Sequence, residues 1–256
     1  MEYIKVERRD HLLVVTLDRP EVLNALHAPA NAELSKVFDD FGNDPDLWVA
    51  VLTGSGRAFC VGNDLKYQAM GGDRSMFPAS GFGGLAERWD LTKPVIAAVN
   101  GMALGGGLEI ALACDIIIAD EDARFGLPEV KVGVVALGGG LHRLPRAVGL
   151  KRAMALALTG DQLTARQAMD LGFVSDIAPR GETLEVALRW ADRLLACAPL
   201  SLRATKQAML DGYEAGGVRG AMEARYSETT KLLRSEDFRE GARAFAEKRK
   251  PVWKAR

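Results

Sequence analysis

Cysteine is scarce and scattered: Cys60, Cys114 and Cys197 share no CxxC spacing, and a set of three leaves one thiol outside any pairing. Buried, reduced thiols are expected rather than a disulfide framework or a metal cage. Histidine is equally sparse, and His11, His27 and His142 show no zinc-ligand spacing, so a metal-dependent enzyme is not expected. Charge of one sign is also missing. The 33 Lys and Arg nearly balance the 34 Asp and Glu, which removes the basic field that a nucleic acid or an anionic membrane surface would need. No apolar run approaches the roughly 20 residues that span a bilayer; the longest, such as PVIAAV (94–99), are strand-sized. The opening MEYIKVERRDHLLVV lacks the basic-then-apolar pattern of a secretory signal, and the cytoplasm is the expected location. No GxxxxGK[ST] is present, which excludes a P-loop. Gly54-Ser55-Gly56 follows a strand but leads to Phe59 with no matching helix, against a dinucleotide fingerprint.

What is present is a globular chain of 256 residues, long enough for one large domain or a domain with a smaller appendage. Leu12–Leu17 reads as a strand, whereas Ala30, Leu34, Val37, Phe38 and Phe41 recur at helical spacing after Pro29. Trp48–Thr53 is a short apolar strand ended by Gly54. Val95–Val99 and Asp115–Ala119 are two more, with a short apolar helix from about Gly106 to Cys114 between them. Thr164 and Gln167 form a capping-box signature, Gly172 suits the helix end, and a strand is predicted near Phe173–Ile177. Strands alternating with helices predict an α/β fold with helices packed on sheets. Beyond about Thr183 the pattern turns helical, with Leu184, Ala187, Leu188, Ala191, Leu194 and Leu195 on one face, and the last quarter reads as all helix.

Chemistry concentrates at ALGGGLE (103–109) and FGLPEV (125–130). A Gly-rich turn opening a helix offers free backbone N–H groups to a developing negative charge. Two carboxylic acids nearby, Glu109 and Glu129, can manage the protons of an addition or elimination. Close helix-to-strand packing also explains Gly105-Gly106-Gly107, and spacing alone makes Gly138-Gly139-Gly140 a flexible turn. Glu109 nonetheless stands among Leu108, Ile110, Ala111 and Leu112, so it either faces solvent or is buried for a reason.

AFCVGNDLK (58–66), KPVIAAVNGMALGGGLEIALACD (93–115), FGLPEVKVG (125–133), GG-x-x-RLPRAVG (139–149) and FAEKRK (245–250) together resemble the crotonase (enoyl-CoA hydratase) superfamily, in the order and spacing of that family and over nearly the whole chain. The resemblance implies a crotonase-type spiral of repeated ββα units, over residues 1–195, followed by an all-helical trimerisation region, 196–256. It implies that the backbone N–H groups of Asn63 and Gly106 form an oxyanion hole for an acyl-CoA thioester carbonyl. Glu109 and Glu129 would then be the catalytic pair that holds a water, one assisting its attack on the β-carbon and the other supplying the α-proton. Backbone around Val61, Asp64 and Leu65 would receive the CoA moiety. Lys66 would lie near its phosphates or be a solvated surface lysine.

The sequence departs from the family pattern at three places. Asn63 stands where small residues are common, and Ala136-Leu137 replaces a frequent Pro-Gly or Pro-Asp pair, leaving a backbone N–H at Leu137. His142 follows the glycines and reads as a capped surface histidine, with a pocket group as the alternative. Between Tyr67 and Asp90, Met70, Met76, Phe77, Phe82, Leu85 and Trp89 read either as core packing or as an acyl-pocket wall; Met70, Phe82 and Trp89 are the pocket candidates. GFGGL (81–85) and FAEKRKPVWKAR (245–256) resemble carnitinyl-CoA dehydratase members of the family in particular.

The expected activity is reversible hydration of a trans-2-enoyl-CoA, with dehydration of a hydroxyacyl-CoA such as carnitinyl-CoA as the alternative. An isomerase or a non-catalytic acyl-CoA binder fits less well, because both glutamates are present. No cofactor is expected beyond the CoA that belongs to the substrate, and the expected assembly is a homotrimer or homohexamer.

Overall fold

The computed structural model describes residues 1–72 and 77–256. Among the described residues ten strands form two sheets: β1 (Ile4–Arg9), β2 (Leu12–Leu17), β3 (Val49–Gly54), β4 (Ala58–Cys60), β5 (Val95–Val99), β6 (Met102–Leu104), β7 (Ile116–Asp120), β8 (Arg124–Gly126), β9 (Gln162–Thr164) and β10 (Asp176–Ala178). The larger sheet runs β1-β2-β3-β5-β7-β10 and the smaller β4-β6-β8-β9. Each pass of the chain lays one strand in the large sheet and the next in the small one, β3 then β4, β5 then β6, β7 then β8. Neighbouring passes pair in parallel, as in Ala50 with Val95 and Met102 with Arg124. A helix or helical turn closes each pass, and the path is a spiral.

Helices α1 (Ala28–Asn43), α2 (Leu65–Ala69), α3 (Gly106–Ala113), α4 (Gly140–Val148), α5 (Leu150–Thr159), α6 (Ala165–Asp170) and α7 (Thr183–Leu195) surround these sheets. Why the strands are unbroken apolar runs follows from alternation across the pleat. Ala50, Leu52, Ala97 and Val99 face a core shared with Leu34, Phe38, Phe41 and Phe59. Val49, Val51, Ile96 and Ala98 face the opposite way and are covered by Val186, Ala187 and Ala191 of α7. Both faces are buried, so neither tolerates polar alternation.

The capping box at Thr164 and Gln167 forms in full and starts α6. The strand after it begins at Asp176, later than the predicted Phe173, because Phe173 and Val174 donate their N–H groups to Ala168 O and close the end of α6 instead. Gly54-Ser55-Gly56 is a tight turn into β4, with Gly56 at φ 71°. Cys60 and Cys114 are buried but Cys197 is exposed, which corrects the expectation for the third thiol. Burial pushes the Cys60 thiol up to about 12 and raises that of Cys114 as well.

The C-terminal part holds α8 (Pro199–Glu214), α9 (Val218–Glu223), α10 (Ser227–Arg234) and α11 (Glu236–Ala246). It is not helical to its end. Residues 247–256 leave the helix and run back along it, and the indole N–H of Trp253 donates to Ala196 O at 3.0 Å. Among the described residues no helix is long and apolar enough to cross a membrane.

Candidate active site

Strand β6 delivers the chain into Gly105 (φ 55°, ψ −127°), which turns it into α3. A side chain on Gly107 would overlap Cys60 O, and one on Gly106 would overlap the Phe82 ring, so bare backbone is required for this helix to sit against β4. The packing and the anion-site readings of these glycines are therefore compatible. The first N–H groups of α3 have no intrahelical acceptor.

Across from them the segment after β4 pairs with Leu26, whose N–H donates to Gly62 O at 2.8 Å while the Asp64 N–H donates to Leu26 O at 3.1 Å. This parallel bridge sets Leu26 opposite Asn63 and uses the groups on either side of Asn63, not its own N–H. Among the described residues neither the Asn63 nor the Gly106 N–H has a protein acceptor. A Cβ on Gly62 would lie 2.9 Å from the Gly106 nitrogen, so the two stretches are in close contact. Two neighbouring unpaired donors suit an oxygen that acquires negative charge.

Both glutamates lie near the opening of α3. Glu109, in the first turn of α3, is only 4% exposed, and its Oε1 accepts the Gly140 N–H at 2.8 Å. Glu129 lies on the helical turn Pro128–Val132 after β8. Its Oε1 comes within 3.0 Å of where a Cβ on Gly105 would be, beside the opening of α3. Its Oε2 is buried without a hydrogen-bond partner among the described residues, an arrangement that costs about 1–3 kcal/mol and suits a hydroxyl or water donor. Burial pushes the Glu109 carboxyl up to about 7; the Gly140 N–H opposes this and the charge of Glu129 adds to it. Burial likewise raises the Glu129 carboxyl. Two carboxyls raised above their ordinary range are suited to proton transfer.

The remaining candidates divide by position. The Val61 N–H donates to Leu23 O and the Leu65 N–H to Asn63 O. Asp64 is held by the fold: its Oδ1 caps α2 by accepting the Tyr67 N–H at 3.0 Å, and its Oδ2 pairs with Arg19 at 3.1 Å. Leu65 and Lys66 are exposed on α2, and Leu137 is exposed beside buried Ala136. Phe82 is buried edge-to-face against Phe77 and packs on Gly106, whereas Met70 and Trp89 lie at the surface of the chain. Met76 falls outside the described residues. His142 is exposed, as read from the sequence.

Two features went unrecognised in the sequence. Gly138–Gly140 is no mere turn, because it packs directly on the Glu109 carboxyl. Arg143 brings its charge to the same carboxyl from α4. The GG-x-x-R block of the resemblance marked this stretch without showing what it touches. Among the described residues no three His, Cys, Asp or Glu side chains gather as a metal site would need.

The model of the enoyl-CoA hydratase/isomerase family matches residues 7–256. The chain belongs to that family. It is 45% identical over 257 residues to a mevalonyl-coenzyme A hydratase of Beauveria bassiana, covering 95% of this chain and 91% of that protein. It is 40% identical over 265 residues to a carnitinyl-CoA dehydratase of Salmonella typhi, covering 100% and 99%. The crystal structure of an enoyl-CoA hydratase from Mycobacterium tuberculosis H37Rv superposes with a TM-score of 0.93 at 41% identity, over the full length of both chains. The spiral is thus the crotonase fold of this family, and the protein is a hydratase-type enzyme.

Proposed function

We propose that the protein catalyses reversible syn addition of water across the 2,3 double bond of a trans-2-enoyl-CoA. The observation that carries this reading is the buried Glu109 and the half-buried Glu129, both with raised carboxyls, at the helix opening beside the two unpaired amides of Asn63 and Gly106. The amides would accept the thioester oxygen as it gains charge, each donor being worth roughly 3–4 kcal/mol in the transition state. One carboxylate takes a proton from water as its oxygen bonds to the β-carbon. The other carboxylic acid delivers a proton to the α-carbon as the enolate collapses. No electrons leave the substrate, and the reaction is closed by its own proton exchange.

A second reading runs the same steps in reverse, as a 3-hydroxyacyl-CoA dehydratase acting on a compound such as carnitinyl-CoA. What favours it is the full-length likeness to the Salmonella dehydratase. Initial rates on a panel of enoyl-CoA and 3-hydroxyacyl-CoA thioesters separate the two. Hydration of an unsubstituted enoyl-CoA supports the first reading; turnover confined to a hydroxyacyl-CoA with a polar tail supports the second. Binding of CoA esters with no turnover in either direction would leave a non-catalytic binder and remove both.

We propose further that the region 196–256, helical up to Ala246, assembles the chain into a trimer or a pair of trimers, supported by exposed Met209, Leu210, Tyr213, Val218, Met222 and Phe245. Light scattering of the purified protein tests this, and a monomeric mass would refute it.

A further inference from the structure

Arg143 has no part in the hydration steps, yet its geometry is highly constrained. From α4 its Nη2 donates to Ala86 O at 2.8 Å, its backbone N–H donates to Gly139 O at 2.8 Å, and its guanidinium lies over the Trp89 ring at 5.1 Å from the centroid. The guanidinium packs so closely on Gly139 that a Cβ there would overlap Nη1. On the neighbouring residues a Cβ at Gly138 would come within 2.5 Å of Glu109 Oε2, and one at Gly140 within 3.0 Å of Oε1. Gly138–Gly140 is therefore gripped between a guanidinium and a carboxyl.

We propose that Arg143 is a positioning residue for Glu109: pinned by Ala86 O and the Trp89 ring, its guanidinium holds the glycine loop against the carboxyl and sets the charge that this carboxyl meets. The inference deepens the hydration reading by naming what orients one of its two acids. It also joins the segment 82–89, which bears Phe82 and Trp89, to the proton-transfer group.

The charged neighbours are few. Glu109 faces Glu129 from the 128–132 turn, which raises its carboxyl, and the Gly140 and Gly138 amides and Arg143 from the loop and α4, which lower it. Arg143 in turn faces Glu109 and the buried Cys114 thiol, Glu87 from the 82–89 segment, and Arg146 on its own helix. Removing the guanidinium takes away one lowering influence directly and loosens the loop that carries two more. All three losses act in one direction.

The test is infrared titration of the Glu109 carboxyl, its band assigned by its loss in Glu109→Gln. In Arg143→Gln the midpoint should move up by about one pH unit, and in Arg143→Lys, which keeps a cation, by less. A folded Gln variant with an unmoved midpoint would overturn the proposal. A second readout needs no Arg143 variant: the Arg143 Nε–H resonance of the wild-type protein should titrate with the Glu109 midpoint and lose that inflection in Glu109→Gln. A resonance indifferent to Glu109 ionisation would overturn it equally. Neither measurement depends on turnover, so failure of the hydration reading would show separately, in the substrate panel.

Discussion

The Gly140 N–H donates to Glu109 Oε1 at 2.8 Å, and Gly138, two residues earlier, lies against Oε2 of the same carboxyl. One side chain is thereby fixed through both of its oxygens by a loop too narrow for any Cβ. Gly138→Ala separates orientation from folding, because the collision at 2.5 Å is with the end of a side chain and not with backbone. The carboxyl has to swing or the loop has to lift. Displacement of a reacting group by about 1 Å costs up to ~100-fold in rate, so kcat should fall by about 10- to 100-fold while the melting temperature changes little. Retention of full turnover by this variant would show that the loop does not orient Glu109.

Glu109 also makes stability depend on pH. Its carboxyl is raised to about 7 in the folded chain against 4.5 for a free glutamate. A group raised in this way contributes stability that is fully present below its unfolded value and is lost as pH climbs through the folded one. Wild-type protein should therefore lose stability between about pH 5 and pH 8 on account of this residue. Glu109→Gln keeps the shape without the charge and should be the more stable protein at about pH 8, by on the order of 1–3 kcal/mol, with the advantage fading toward about pH 5. Chemical unfolding at several pH values checks this, and a stability difference that does not vary with pH would refute it.

How much of this was legible beforehand depends on whether the cause is local. The strands Leu12–Leu17 and Val95–Val99 and the helix after Pro29 announce themselves by apolar spacing, because each is decided by which face it buries. Glu109 stood out as a carboxyl in an apolar segment, and it is buried. Gly138–Gly140 read as a turn because its constraint comes from Glu109, about thirty residues away along the chain, and no local pattern records such a contact. Asp64 shows the converse. It lies inside a stretch that resembles a ligand-binding one, yet its carboxyl is spent on capping α2 and pairing with Arg19. The tail after Ala246 is polar and charged, and nothing in its composition shows that Asp237 will collect it.

If both glutamates act on one water, replacing either should stop the chemistry without unfolding the chain. Positioned proton transfer contributes roughly 100- to 10,000-fold, so Glu109→Gln and Glu129→Gln should each lower kcat on the best substrate of the panel by about that factor, with little change in KM. The double variant should lose little more than the worse single one, because the two residues serve one step. Strictly multiplicative losses would indicate independent roles and count against a shared water.

The last ten residues are held by an acid that the site does not use. Asp237 is buried, and its two oxygens accept the N–H groups of Lys254 at 2.8 Å and Ala255 at 2.9 Å. This fixes Trp253, which packs on the apolar layer that α7 forms over the large sheet. Glu240 grips the same segment nearer its start, accepting from the Arg249 guanidinium and the Val252 N–H. Hydrogen bonds to a charged group are worth about 1.5–3 kcal/mol each, and Asp237 makes two at this point. Asp237→Ala should therefore lower unfolding free energy by about 3–6 kcal/mol, release the tail to proteolysis, and leave kcat on a CoA thioester unchanged, since the Glu109 and Glu129 carboxyls lie on other elements. Deleting residues 251–256 should cost at least as much, because it also removes the Trp253 packing and the Val252 N–H bond to Glu240. A tail that stays resistant to protease in Asp237→Ala would mean that Trp253 and Glu240 suffice to hold it, and that the buried acid is there for the helix end alone.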